Sequence, residues 1–460
     1  MGLEVKKIAV ALRPRNALGF IPVFCLGVLL VDTFRLYKGG AYFSLDDFNN
    51  LYWVQRATFA QMAGHIIYPV SAYFRPAGMT CYWVLLQLFG LNSAPYHWLA
   101  WSLHTANTTL LYFALKKLTK SRAGAAVGAM LFASQAVFAD IYWDFGTIFE
   151  VVAAFFSFIG ILLWTSERHG WSRVVLASLA LLLAMKRKEM AITMPLIWIG
   201  YDLLLRKDLE RRLAIHWALP GGLALWYGLT RAVMRGMRPS DPYYMSFSAL
   251  TFVRSLGVYF NMLFGTSFQW QVWCSGLVVL LLVFVLLRSR LAIFFQFYVL
   301  VTFLPVIFLI NHRYAFYWYL PFLGVSGLIA MLAKDVAGVI ENRNPEWLSK
   351  AGAYSVLALL CWGTFLAHKE ANRPKRSSIR ARAAECRAFV TGLKALTPPP
   401  RGEVIYFDSK PSYFGEADLL SATQVVLRRT DLGVKLVSEF PPETRYRLRF
   451  EESRLRQLPQ

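Results

Sequence analysis

What most constrains this chain is the repeated return of apolar runs close to 20 residues long, most of them closed by a short basic cluster. At a rise of about 1.5 Å per residue, such a run spans the ~30 Å hydrocarbon core of a bilayer. Water-soluble domains carry about 25% charged residues, whereas this chain of 460 residues carries 17% and is 57% hydrophobic. The pattern predicts an all-α polytopic membrane protein, and nothing follows the two-residue alternation of an outer-membrane barrel. The net charge of +22 collects in short loops, as Lys and Arg on the cytoplasmic side do. No basic patch with stacking aromatics points to nucleic acid. The five cysteines follow no metal-ligand spacing.

Lys6, Lys7, Arg13 and Arg15 precede the first span, 17–36, which reads as an uncleaved signal anchor with a cytoplasmic N-terminus. Residues 47–66 are too mixed in polarity to cross and suit a helix lying in the interface. The stretch 76–91 is short for a span and is read as a second interfacial or re-entrant helix. Spans follow at 96–115, 123–139, 147–165, 174–185, 190–205, 213–232, 271–287, 291–310, 319–333 and 351–367. Residues 247–266 read equally as a crossing or an interfacial helix. Charge alternation then gives about eleven crossings. Lys186, Arg187 and Lys188 fall on the outer side, against the positive-inside rule, and that exception asks for an anion.

Residues 1–368 form the membrane domain, with a first external loop at 37–95, and 369–460 form a small soluble α/β domain. A basic linker is expected at 369–387, strands in GEVIYFDS and GVKLVSEF, and a helix over 417–429. The tail is placed outside, because long domains translocate largely regardless of charge. The linker alone would sit better inside.

The chemistry centres on FSLDDFNN, residues 43–50, just beyond the first span. Asp46 and Asp47 have two readings: one caps the interfacial helix, or one is a general base that takes a proton from an attacking hydroxyl. Like charges this close raise one of the two pKa values. Lys186, Arg187, Lys188 and Glu189 are either interface anchors or a group placed for a phosphate, where positive charge stabilises a leaving anion. His97 and His104 are about two helical turns apart and share a face; zinc pairs more often use i,i+4, and packed polar residues joining helices are the plainer reading. Arg75 is placed to pair with one of the acids or to meet a donor. Asp140, Asp144 and Glu150 lie in or near the second external loop and are candidates for the same cavity.

Five pieces in order carry a resemblance: LDDFNN, FRPAG at 74–78, YHWLAWSLHTANTTLLY at 96–112, KEMAITMPLIWIGYD at 188–202 and RYAFYWYLP at 313–321. The set resembles the GT-C class of polyprenyl-phosphate-sugar glycosyltransferases, which includes protein O-mannosyltransferases and the aminoarabinose transferases acting on lipid A. It is most similar to the membrane half of the transmembrane and tetratricopeptide-repeat O-mannosyltransferases, over roughly residues 15–335. The chain departs from them in lacking the repeat domain, in having Ser134-Gln135 where His-Pro is usual, and in a tail without counterpart. The resemblance implies a GT-C-like fold and inverting transfer of a sugar, mannose in the family, from a polyprenyl-phosphate carrier. The acceptor would be a protein hydroxyl or a cell-envelope glycan outside a bacterial cytoplasmic membrane. It further implies Asp46 rather than Asp47 as the base, with Asp47 holding it or orienting the acceptor, and it carries the Lys188-Glu189 pair; Arg187 of the outward basic group, Arg313 and Tyr314 are the further candidates for the donor phosphate. It implies no cofactor beyond the lipid-linked donor; adjacent carboxylates can hold a divalent ion, but the resemblance does not call for one. The rival of another class, a transporter or flippase of lipid-linked sugars, would show inverted repeats and broken helices at the midplane, whereas acids and bases gather here at one surface. Oligomeric state has no signature in the sequence.

Overall fold

The computed structural model describes residues 27, 42–67, 75–138, 144–166, 170–206, 212–233, 238–343, 346–397 and 399–459. The expected first span and Asp140 lie outside them, Gly27 excepted. The chain forms two compact units. One comprises Met1–Arg35, Leu103–Phe138 and Glu150–Glu370; the other comprises Leu36–Ser102, Ala139–Phe149 and Ala371–Gln460.

The helices run α1 (Leu45–Val54), α2 (Phe59–Ile67), α3 (Pro76–Phe89), α4 (Ala94–Thr119), α5 (Arg122–Ser134), α6 (Ile148–Trp164) and α7 (Trp171–Met185). They continue with α8 (Met194–Leu205), α9 (Arg212–Val233), α10 (Ala249–Phe264), α11 (Trp270–Leu286), α12 (Arg290–Ile307), α13 (Phe322–Arg343) and α14 (Glu346–Ala395). The tail adds strand β1 (Val404–Phe407), helix α15 (Glu416–Leu427) and strands β2 (Gly433–Leu436), β3 (Tyr446–Glu451) and β4 (Arg454–Gln457). Local chemistry sets the ends. Pro76 opens α3, where its missing N–H costs nothing. The Ser121 and Ser248 hydroxyls cap α5 and α10, and Gly265 ends α10 in the left-handed conformation at φ 64°. Among the described residues Phe145–Trp164 and Arg290–Ile307 are long and apolar enough to cross a membrane. Helices α5, α7, α10 and α11 are apolar but shorter. The stretch expected as one span over 190–205 is a 3-10 turn, Glu189–Thr193, followed by α8.

In the first unit α5 packs on α13 through small residues. A Cβ on Gly124 would overlap the Ala330 carbonyl, and one on Gly128 would lie 2.6 Å from the Ser326 carbonyl oxygen. This small-residue spacing lets two backbones approach closely, as in membrane helix pairs. Elsewhere in that unit the Asp202 carboxylate accepts the indole N–H groups of Trp164 at 3.1 Å and Trp217 at 2.9 Å, and pairs with Arg206 at 3.2 Å. That acid is a joint between helices.

In the second unit the tail sheet has the order β2-β1-β3-β4, with β1 parallel to β2 and β3, and β3 antiparallel to β4. Strand β1, helix α15 and β2 are the three elements expected from the sequence. The β3–β4 hairpin is an addition to that expectation. Its turn is Glu452-Ser453, both at positive φ (51° and 56°), the geometry of a tight hairpin turn that normally announces itself by Asn-Gly or Asp-Gly. A second correction concerns the basic linker: residues 369–387 fall inside α14, a 50-residue helix, although Pro374 within the basic run reads as a break. Gly128→Leu is expected to force α5 off α13, costing about 1–3 kcal/mol as overpacking does; the measurement is the unfolding temperature in detergent, which should fall by several degrees.

Candidate active site

Ser44 organises the acids of the second unit. Its extended backbone (φ −104°, ψ −174°) places it at the N-cap of α1. Its amide N–H donates to Asp47 Oδ2 at 2.7 Å, the reach-back half of a capping box. Asp47 Oδ1 accepts the Tyr82 hydroxyl at 2.7 Å, and Asp47 is 0% exposed. The Ser44 hydroxyl turns instead to Asp144, donating to Oδ1 at 2.6 Å, and the Gly146 amide donates to the same oxygen at 2.9 Å. Around these groups Tyr82 meets Phe145 edge-on at 4.9 Å, and Tyr96 meets Phe43 at 5.0 Å and Phe145 at 5.2 Å. Asp46 is exposed. It packs close to Gly146: a Cβ there would sit 3.1 Å from Asp46 Cβ and 2.9 Å from Asp144 Oδ1.

The adjacent acids thus have different environments. Burial first, and then the charge of Asp144, push Asp47 well above the usual carboxylate range, against the bonds from Ser44 and Tyr82. Burial likewise pushes Asp144 up to about 6, opposed by the Ser44 hydroxyl and aided by the charge of Asp46. Asp47 is therefore the capping acid, one of the two readings open from the sequence. Asp144, noted only by its position in the chain, joins the cluster. Ser44, like the two acids, suits an N-cap by residue type, and it takes that place; Tyr82 was not foreseen, and no spacing could have shown that it returns to Asp47 from a separate helix. Arg75, at the N-cap of α3, places its guanidinium 5.5 Å from the centroid of the Phe149 ring. His97 is half-buried on α4.

The first unit holds the basic residues. Lys188 is 2% exposed, makes an ion pair with the Glu150 carboxylate, and lies 5.0 Å from the Tyr317 ring centroid and 5.7 Å from that of Phe316. Such cation–π contacts strengthen when desolvated. Lys186 is buried, and Arg187 and Glu189 are half-buried. Tyr314 is 45% exposed and stacks on Phe316 at 5.1 Å. Through that ring the structure brings Lys188 and Tyr314 to one place. The neighbouring Arg313 is half-buried, with Nε donating to the Leu309 carbonyl at 3.2 Å. His104 is a packed joint: Nδ1 is 2.8 Å from the Tyr319 hydroxyl and its ring stacks on Phe132 at 5.3 Å. Among the described residues no three His, Cys, Asp or Glu side chains are grouped as a metal set.

The fold is similar to that of a solved bacterial protein, ArnT. ArnT from Cupriavidus metallidurans bound to undecaprenyl phosphate aligns with a TM-score of 0.50 at 14% identity, covering 90% of this chain and 85% of that one. The same protein in the apo state gives 0.48 at 14% identity with the same coverage. No family model and no curated protein matches the chain.

The acid cluster carries a pH signature. Asp47 and Asp144 hold protons more tightly folded than unfolded, so their contribution to stability is complete below the unfolded carboxylate range, about pH 4. It is lost as pH rises through the folded values, about 6 for Asp144. Relative to wild type, Asp144→Asn should therefore gain stability as pH rises from about 4 to 7. Unfolding temperatures across that range in detergent check this, and parallel profiles for the two proteins would count against it.

Proposed function

We propose that this protein is a polytopic membrane glycosyltransferase, moving a mannose-type sugar from a polyprenyl-phosphate carrier to an acceptor with inversion. The proposed location is a bacterial cytoplasmic membrane with the acids on its outer side. The observation that carries the reading is the asymmetry of the adjacent acids. Asp47 is buried and spends both oxygens on Ser44 and Tyr82, while Asp46 is exposed at the first turn of the helix so capped. A base has to reach an incoming hydroxyl, and the exposure of Asp46 supports it over Asp47 for that role. The likeness in fold to ArnT, and the undecaprenyl phosphate bound by that protein, support a lipid-linked donor.

In this reading the acceptor oxygen attacks the anomeric carbon as its proton passes to Asp46. The bond from that carbon to the phosphate oxygen breaks, and the electron pair leaves with polyprenyl phosphate. Arg187, Lys188 and Arg313 supply positive charge to the departing phosphate and Tyr314 a hydroxyl donor, worth most where water is excluded. Lys188 shares its charge with Glu150. Asp47 holds the turn, and Glu189 the segment that begins at Lys188. His97, His104 and Arg75 are supporting groups.

The test is transfer in vitro from a panel of polyprenyl-phosphate sugars. Asp46→Asn is expected to lower the rate by about 10²–10⁴, the usual contribution of a positioned base, with Asp47→Asn less affected. Undiminished transfer by both variants would falsify the assignment, and the panel identifies the sugar.

A further inference from the structure

The turn that presents Asp46 is held from the C-terminal part of its own compact unit. Asn49 is three residues on from Asp46, so the two are neighbours on the surface of α1. Its Nδ2 donates to Asp418 Oδ1 at 2.8 Å, and its Oδ1 accepts the Ser421 hydroxyl at 2.6 Å. Asp418 and Ser421 are themselves three apart on α15 and present one face to this amide. The other Asp418 oxygen accepts the Gly415 amide at 2.8 Å. A capping acid of α15 is thereby shared with α1.

Beneath these bonds the apolar contact is continuous. Phe48 is 0% exposed and its ring centroid is 5.8 Å from that of Phe414. Phe414 meets Phe389 at 5.3 Å, and Phe389 meets Phe407 of β1 and Phe450 of β3, each at 5.9 Å. The residue two places after Asp46 is thus part of the core of the tail sheet. The side chain above it has to supply one donor and one acceptor at short reach, which an amide does and a carboxylate facing Asp418 does not.

We propose that Asn49 is a positioning residue, locking the first turns of α1 to α15 and so setting the Asp46 carboxylate, and that the C-terminal module is a working part of the catalytic unit. This rests on the reading of Asp46 as the base. The lock should behave as an exchangeable pair. Asn49→Asp sets two carboxylates against each other. In the double variant Asn49→Asp with Asp418→Asn the groups trade places: the new amide oxygen keeps the Gly415 amide, its NH₂ donates to the new carboxylate, and Ser421 still donates.

The experiment uses the full-length protein in nanodiscs, with two readouts. In Asn49→Asp, kcat is expected to fall about tenfold or more, as small misplacements of catalytic groups do, with donor KM little changed. Amide hydrogen exchange over residues 44–54 should quicken. The double variant should recover both. Wild-type exchange and kcat in Asn49→Asp overturn the proposal, as does a folded double variant that recovers neither. Exchange does not depend on activity, so the two readings fail separately: exchange that follows the swap, together with an active Asp46→Asn variant, sinks the base and leaves the lock standing.

Discussion

The short bond from the Ser44 amide to Asp47 is the constraint on which the acid site depends. One serine uses its backbone to hold one aspartate and its hydroxyl to hold another, Asp144. A carboxyl group taken wholly out of water is costly unless its oxygens are satisfied, and Asp47 meets that condition with the Ser44 amide and the Tyr82 hydroxyl. The cost of burying it is thus turned into a fixed first turn for α1. Its neighbour Asp46 is exposed on that turn, and Gly146, with no side chain, lets it approach closely. Adjacent residues of the same type meet different surroundings, one buried and one exposed, because helical geometry sends them about 100° apart.

The basic residues obey a related rule. A lysine as deeply buried as Lys188 needs a partner, and it has a carboxylate from α6 and two aromatic faces from the segment before α13. Breaking such a pair on one side leaves an uncompensated charge and is far more damaging than losing a surface bridge. Its role in holding the segments together is separate from any role toward a ligand.

Much of the helical layout was legible because it is written in long apolar runs, a signal that depends on composition and not on partners. Helices α4, α6, α9 and α12 lie close to the stretches expected for them. Legibility failed where the deciding fact was a contact or a backbone angle. The 3-10 turn at Glu189 breaks a run that reads as one mostly apolar stretch. The β3–β4 hairpin turns on Glu452 and Ser453, residues that rarely take positive φ and so carry no turn signal. The basic stretch inside α14 reads as a linker because helix propensity is a weak prior beside proline and charge. The acids at 46 and 47 stood out by type, but which of them is buried was decided by Tyr82, 35 residues away. Asn49 is the extreme case: its partners are 369 and 372 residues distant, and no local pattern distinguishes it from Asn50.

The contact between Asn49 and α15 also acts as a parity check on the membrane topology. Residues that touch lie on one face of a bilayer, so the chain between them crosses it an even number of times. The ten spans read from charge between residues 96 and 367 satisfy that condition. Adding α10 alone as an eleventh crossing would leave the count odd and put Asn49 and Asp418 on opposite faces. Were all ten of those stretches to cross, α10 would have to lie along the membrane surface, and its placement would follow from a hydrogen bond in a different part of the molecule.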